Sequence, residues 1–354
     1  MTIDLSGGLP ASREDMLPER PSDPEMREAV NIWLHDDEGR FSLPRIGIEA
    51  IGADWDNPAV VANMAFSDGR VFVGSCSGPA GSPLDDHGRP TRMIAGPVRF
   101  DCLEPFKRWT MDWNGPALAT TISDQAKGIV PDGPYVDVEI HVDMTMVVPP
   151  WIQGQMGRQA ADLLEKGIEG LFMGGERYEQ LFRASGTFRV GDETLDFTAT
   201  GLRIHRQGVR NTNEFRGHCW QSTVFPSGKA FGYIAFPDNP DGSAAYREGY
   251  VFDGEQMLPA TIVEAPWMSH FQAEGGDVSC VLETSAGTAR IAGSTTTTTA
   301  LAGSGSINKV DAMRRTEARH SLFFHQGGAH YSWDGEEVYG MVERSLPVDQ
   351  VAID

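Results

Sequence analysis

The chain has 354 residues, 40% hydrophobic and 22% charged, so it can bury a sizeable core and is not a disordered polymer. Asp and Glu outnumber Lys and Arg by 50 to 29, and the net charge of −21 argues against nucleic acid or an anionic membrane as a partner. At about 100–200 residues per domain the length fits two domains or one large β domain, and 40 Gly with 22 Pro fit short elements joined by tight turns.

Residues 1–23 are polar, proline-rich and without periodicity, which predicts a loose arm. No basic segment precedes an apolar run there, so no signal peptide is expected, and no apolar run reaches the roughly 18 residues of a membrane span. Residues 24–36 read two ways. Asp23-Pro24 could start a helix, whereas Val30, Ile32 and Leu34 alternate like a strand. Ser67-Asp68-Gly69, between residues 60–66 and 71–73, predicts a hairpin. Residues 99–113 alternate loosely. Residues 136–146 give the clearest strand, with Val136, Val138, Ile140, Val142, Met144 and Met146 on one face and Asp137, Glu139, His141, Asp143 and Thr145 on the other.

Ala160, Leu163, Leu164 and Ile168 predict a helix over residues 155–169, and a second short helix is expected at 176–181. This helical insert places a boundary between one domain at 24–182 and another at 183–354. Strand signals then resume to the end of the chain, including an Asp334-Gly335 hairpin. The expected class is all-β, with two barrels or sandwiches of similar length.

The richest stretch is 201–220, which holds Arg203, His205, Arg206, Arg210, Arg216, His218 and Trp220 in an otherwise acidic chain. Read as a hairpin turning at Asn211 and Thr212, it would set His205 beside His218 and Arg203 beside Trp220. Neighbouring imidazoles share one proton more readily than two, which suits acid–base work. Arg203 and Arg210 could hold a carboxylate or a developing oxyanion. The competing reading pairs the arginines with nearby acids and the histidines with carbonyls. The polar face of 136–146 carries metal-ligand residue types, but same-face neighbours on a strand lie about 6.5–7 Å apart, so it reads as a solvated outer face. No zinc, calcium, P-loop or nucleophile-elbow pattern occurs, so no metal and no cofactor is expected. Cys76, Cys102, Cys219 and Cys280 are widely spaced and read as reduced thiols of a cytoplasmic protein.

Three segments resemble the two-domain, lipocalin-like superfamily of carotenoid 1,2-hydratases. They are Gly201 with Arg203-x-His205-x-x-Gly208-x-Arg210; Gly217-His218-x-Trp220 with Phe225-Pro226-Ser227-Gly228; and Trp333-Asp334-Gly335-Glu336 with Tyr339-Gly340-Met341-x-Glu343-Arg344-Ser345. The family's Asp before the His is Ile204 here, and its Trp before the Gly is Gln207. In the hydratases that Asp is the favoured proton donor. The resemblance therefore implies the architecture, two β-barrel domains around an apolar ligand cavity, more than carotenoid hydration itself. The expected activity is that of a cofactor-independent lyase or isomerase (a hydratase, dehydratase or cyclase) acting on a hydrophobic isoprenoid, polyketide or aromatic molecule. His205 would be the acid/base and Arg203 and Arg210 its clamps. His218, Trp220, Gln221, Trp333, Tyr339 and Glu343 would line the ligand. A non-catalytic carrier of an apolar ligand is the alternative.

Overall fold

The computed structural model describes residues 3–129, 131–157, 162, 176–209, 215–302 and 322–353. The helix expected at 155–169 lies largely outside them, as do Arg210 and the turn at Asn211 and Thr212. The strands are β1 (Met26–Asp36), β2 (Phe41–Ile51), β3 (Ala59–Phe66), β4 (Arg70–Val73), β5 (Cys76–Ser77), β6 (Arg92–Ala95), β7 (Val98–Glu104), β8 (Arg108–Thr121), β9 (Tyr135–Met146), β10 (Trp151–Ile152) and β11 (Glu176–Val190). They continue with β12 (Glu193–Val209), β13 (His218–Val224), β14 (Ala230–Ala235), β15 (Arg247–Phe252), β16 (Met257–Glu264), β17 (His270–Phe271), β18 (Cys280–Thr284), β19 (Gly287–Ala302), β20 (Leu322–Trp333), β21 (Glu336–Pro347) and β22 (Ala352–Ile353). A single-turn helix, α1 (Ile122–Ala126), is capped by the Thr121 side chain.

Both halves close into rings, which leaves few free sheet edges. Because β9 pairs with both β8 and β11, the path β11-β12-β1-β2-β3-β4-β8-β9 returns on itself as a first barrel. The second barrel runs β13-β14-β15-β16-β18-β19-β20-β21. The all-β, two-barrel class expected from the sequence is what the molecule shows. On β9, Val138, Ile140, Val142, Met144 and Met146 enter the first core, while Asp137, Glu139 and His141 stand outside. A shallow cleft of about 570 Å³ on that outer wall includes His141, Asp112 and Arg189. Among the described residues no cluster of His, Cys, Asp or Glu could hold a metal ion.

Several sequence readings change. The segment read two ways forms strand β1 over Met26–Asp36, and residues 176–181 begin β11 rather than a helix. The expected boundary at 182/183 falls inside β11; the chain leaves the first barrel only after Val209 and enters the second at His218. The arm is not loose. Glu14 and Met16 are fully buried against the first barrel. β1 and β13 are buried along essentially their whole length, because each has a barrel core on one face and the other barrel on the opposite face. Burial on both faces removes the polar alternation that marks a strand in sequence. That is why residues 24–36 read ambiguously.

Candidate active site in the seam between the barrels

β12 and β13 are not partners. β12 pairs with β1 and β11, and β13 pairs with β14 and β21. The expected contact of His205 with His218 does not form, because β12 belongs to the first barrel and β13 to the second. His205 lies opposite Val30 and Tyr178, and Arg203 opposite Ile32 and Gln180. Val30 and Ile32 are core residues of the first barrel, so strand alternation turns Arg203 and His205 into its interior. Leu202 and Ile204 point the other way, into the apolar seam with Trp33, Trp151 and Trp220.

The interior cluster closes on itself. Arg203 donates to Glu14 at 2.6 Å and stacks over Trp109 with its guanidinium carbon 4.3 Å from the ring centre. Burial opposes the Arg203 charge, but Glu14 and Tyr178 outweigh it and push its pKa up. Tyr178 bridges Glu14 at 2.7 Å and His205 Nδ1 at 3.1 Å. Glu14 and Glu28 are acids that sequence reasoning missed, since Arg203 and Tyr178 for the one and Gln207 for the other lie more than a hundred residues away.

The seam carries a second polar constellation. His218 Nε2 meets Glu343 Oε1 at 3.0 Å, and its Nδ1 meets Ser345 Oγ at 2.7 Å. Glu343 Oε2 accepts from Gln326 at 2.7 Å. Phe215, Phe236 and Phe324 surround the imidazole. Burial alone would raise the Glu343 pKa, but the His218 hydrogen bond and charge, with Arg45 and Gln326, hold it below the usual carboxylate range. Arg45 reaches the seam from an irregular point of β2, with φ at +90° where the β2–β3 register shifts. It pairs with Glu49, donates to Asn31 at 3.0 Å and lies 5.9 Å over the Trp33 ring.

Trp220 joins this group to a third acid. It lies opposite Glu343 in the β13–β21 ladder and packs edge-on against Trp33 at 4.9 Å. Its Nε1 donates to Glu179 at 3.1 Å. Glu179 is wholly buried, and that burial raises its pKa despite the salt bridge from Arg177, whose guanidinium also covers the Trp220 ring at 5.0 Å. Glu248 nearby is likewise raised by burial, while accepting from Tyr246, Gly154 N and Met156 N. Glu179, Arg177, Arg45 and Glu248 carry no motif that could have announced them.

The remaining expected ligand residues scatter. Gln221 alternates away from Trp220 into the second barrel, where it accepts from Tyr233 at 2.6 Å and donates to Val278 O at 2.9 Å. Trp333 packs on Phe225 and Lys229 near the Asp334-Gly335 turn. Tyr339 covers Gly39, and its carbonyl accepts from Thr200 at 2.6 Å, so it fastens one barrel to the other. Of the expected set, the seam unites His218, Trp220 and Glu343.

These features define an all-β protein of two closed barrels with a buried ionic and aromatic seam between them. The chain belongs to the DUF7064 family, a domain of unknown function whose model matches residues 12–347. No curated protein sequence matches it. Among solved structures, it is similar to a protein described as AttH from Nitrosomonas europaea, at 14% identity over 90% of this chain and 91% of that one, with a TM-score of 0.51. CghA gives 10% identity over 92% and 89%, with a TM-score of 0.52. Kievitone hydratase from Nectria haematococca gives 12% identity over 93% and 92%, with a TM-score of 0.44. The first two likenesses are of fold, and they bear out the two-barrel architecture that the sequence resemblance implied. No helix among the described residues is long and apolar enough to cross a membrane.

Proposed function

We propose that the protein is an acid–base enzyme of lyase or isomerase type, working in the seam on an apolar, unsaturated small molecule. One observation carries this reading. Two buried carboxyl groups adjoin Trp220, Glu179 accepting from its Nε1 and Glu343 opposite it in the ladder, and their pKa values are displaced in opposite directions, Glu179 up and Glu343 down. Such a divergence is how one site keeps a proton donor beside an ionised group at one pH. Glu179 supplies a proton to the substrate. His218, oriented by Glu343 and Ser345, removes one, so the exchange is redox-neutral and fits addition of water, loss of water or movement of a double bond. Arg177 and Arg45 face developing negative charge, and Trp33, Trp151 and Trp220 supply apolar faces. In this reading Arg203 and His205, which face the first barrel's interior, are not the catalytic pair.

The test separates an enzyme from a carrier. Purified protein is examined by native mass spectrometry for a retained apolar ligand, which is then incubated with the protein in D2O. Deuterium uptake or a mass change of one water, abolished in Glu179→Gln, supports catalysis. A ligand that stays bound and unlabelled with the unaltered protein sinks it in favour of transport.

A further inference from the structure

The polar cluster inside the first barrel takes no part in the seam, yet it has the form of an anion site with an occupant. Glu14 sits at the end of a single 3-10 turn, Ala11–Glu14, on the N-terminal segment. Its carboxylate receives Arg203 at 2.6 Å, Tyr178 at 2.7 Å and Trp109 Nε1 at 2.7 Å, with the Cys102 thiol at 3.8 Å. Three of the four donors sit on barrel strands β8, β11 and β12, and Cys102 sits on β7, which pairs with β8. They form a cradle supplied by the barrel and a guest supplied by the arm.

The fit is incomplete. Arg203 is 0% exposed, yet its Nε and Nη1 have no hydrogen-bond partner, and His205 Nε2 makes no hydrogen bond although Glu28 Oε1 lies 3.5 Å away. Glu14 engages one guanidinium nitrogen where a carboxylate free to choose its approach takes two in parallel. A buried donor left without a partner is costly, so the cradle holds its present occupant below its capacity. Residues 11–17 are also held point by point, with no strand pairing. Within residues 11–17 only Glu14 and Met16 are buried. Further ties include Met16 N to Pro90 O, Leu17 N to Glu28, Gln207 to Asp15 O and Tyr178 to Arg13 O.

We propose that this cradle is a binding site for a small monocarboxylate with an apolar tail, and that residues 11–17 are a built-in competitor whose Glu14 fills it until such a ligand displaces them. The carboxylate takes the place of Glu14 and the tail that of Met16. With a net charge of −21 the protein does not gather anions from a distance, so selection rests on the short-range match to Arg203, Tyr178 and Trp109. The ligand shifts the arm only by as much as it prefers the vacated cradle.

The probe is hexanoate, with hexanamide as its neutral counterpart, and the readout on the full chain is the rate of tryptic cleavage after Arg13. Hexanoate is expected to accelerate that cut about severalfold and saturably, while hexanamide leaves it unchanged. Glu14→Ala is expected to expose the site constitutively and to gain thermal stability from hexanoate alone. Arg203→Lys, which keeps charge but loses the planar fork, should blunt the response in either background. Equal cleavage with both probes overturns the proposal, whether or not Glu14→Ala folds. Glu179→Gln should leave the hexanoate response intact, which keeps this test separate from that of the seam.

Discussion

His218 and Glu343 lie on neighbouring strands of the second barrel, two residues out of register and so on the same face, with Nε2 and Oε1 3.0 Å apart. The contact fixes the imidazole where three phenylalanines exclude water. Glu343→Gln keeps the shape but removes the charge. Turnover of a seam substrate should fall by about 10²–10⁴. Because the folded-state pKa of Glu343 is depressed, the carboxylate contributes stability above the ordinary carboxylate range, and this is lost as pH falls through its folded value. Urea unfolding should therefore show a cost of about 1–3 kcal/mol for the variant at pH 7 that shrinks below pH 4.

His35 adds a second loss of stability on the acid side, from burial rather than from pairing. It is fully buried with neither ring nitrogen bonded, and burial lowers its pKa from 6.5 to about 3. The unfolded chain takes up a proton below pH 6.5 while the folded one does not, so stability falls from there down to about pH 3. His35→Leu removes that slope. Its advantage over the unaltered protein should be roughly 3 kcal/mol larger at pH 4 than at pH 7. Parallel denaturation curves at the two pH values would sink this account.

Arg45 holds a backbone conformation that favours glycine, and its side chain serves the seam. The two roles separate by substitution. Arg45→Gly relieves the backbone, whereas Arg45→Ala keeps the strain, so Gly should be the more stable variant by about 1 kcal/mol. Both lose a partner of Glu49 and a positive charge that favours the ionised form of Glu343. A pH titration of the seam should move upward equally in the two variants.

Gly39, at φ +72°, turns the chain between β1 and β2 beneath Tyr339, whose ring would lie 2.5 Å from an added Cβ. Gly39→Ala should lose about 1 kcal/mol to backbone strain, plus a further loss from displacing the ring. Adding Tyr339→Ala should recover only the second part, read from a double-mutant cycle in urea.

The sequence made the β class legible wherever one face is wet. The 136–146 alternation and the Asp68-Gly69 and Asp334-Gly335 turns all stand as read. It failed where both faces are covered, as in β1, and at 201–220, where short-range turn signals stood in for a crossover whose ends join different barrels. His218, Trp220 and Glu343 could be picked out because they fall in short recognisable motifs. Glu14, Glu179 and Arg45 could not, since each gains its meaning from a partner in another strand and from burial that local pattern does not record.

β12 is a partition wall, with odd-numbered Arg203 and His205 furnishing one chamber and even-numbered Leu202, Ile204 and Arg206 the other. Its two sets of side chains cannot be tuned by shifting the strand. Inserting one residue near Thr200 would move the arginine–histidine pair into the seam and thrust leucine and isoleucine toward Glu14, spoiling both compartments at once. Lineages that remodel one chamber must therefore do so by point substitution along this strand, and length changes are tolerated only beyond its ends.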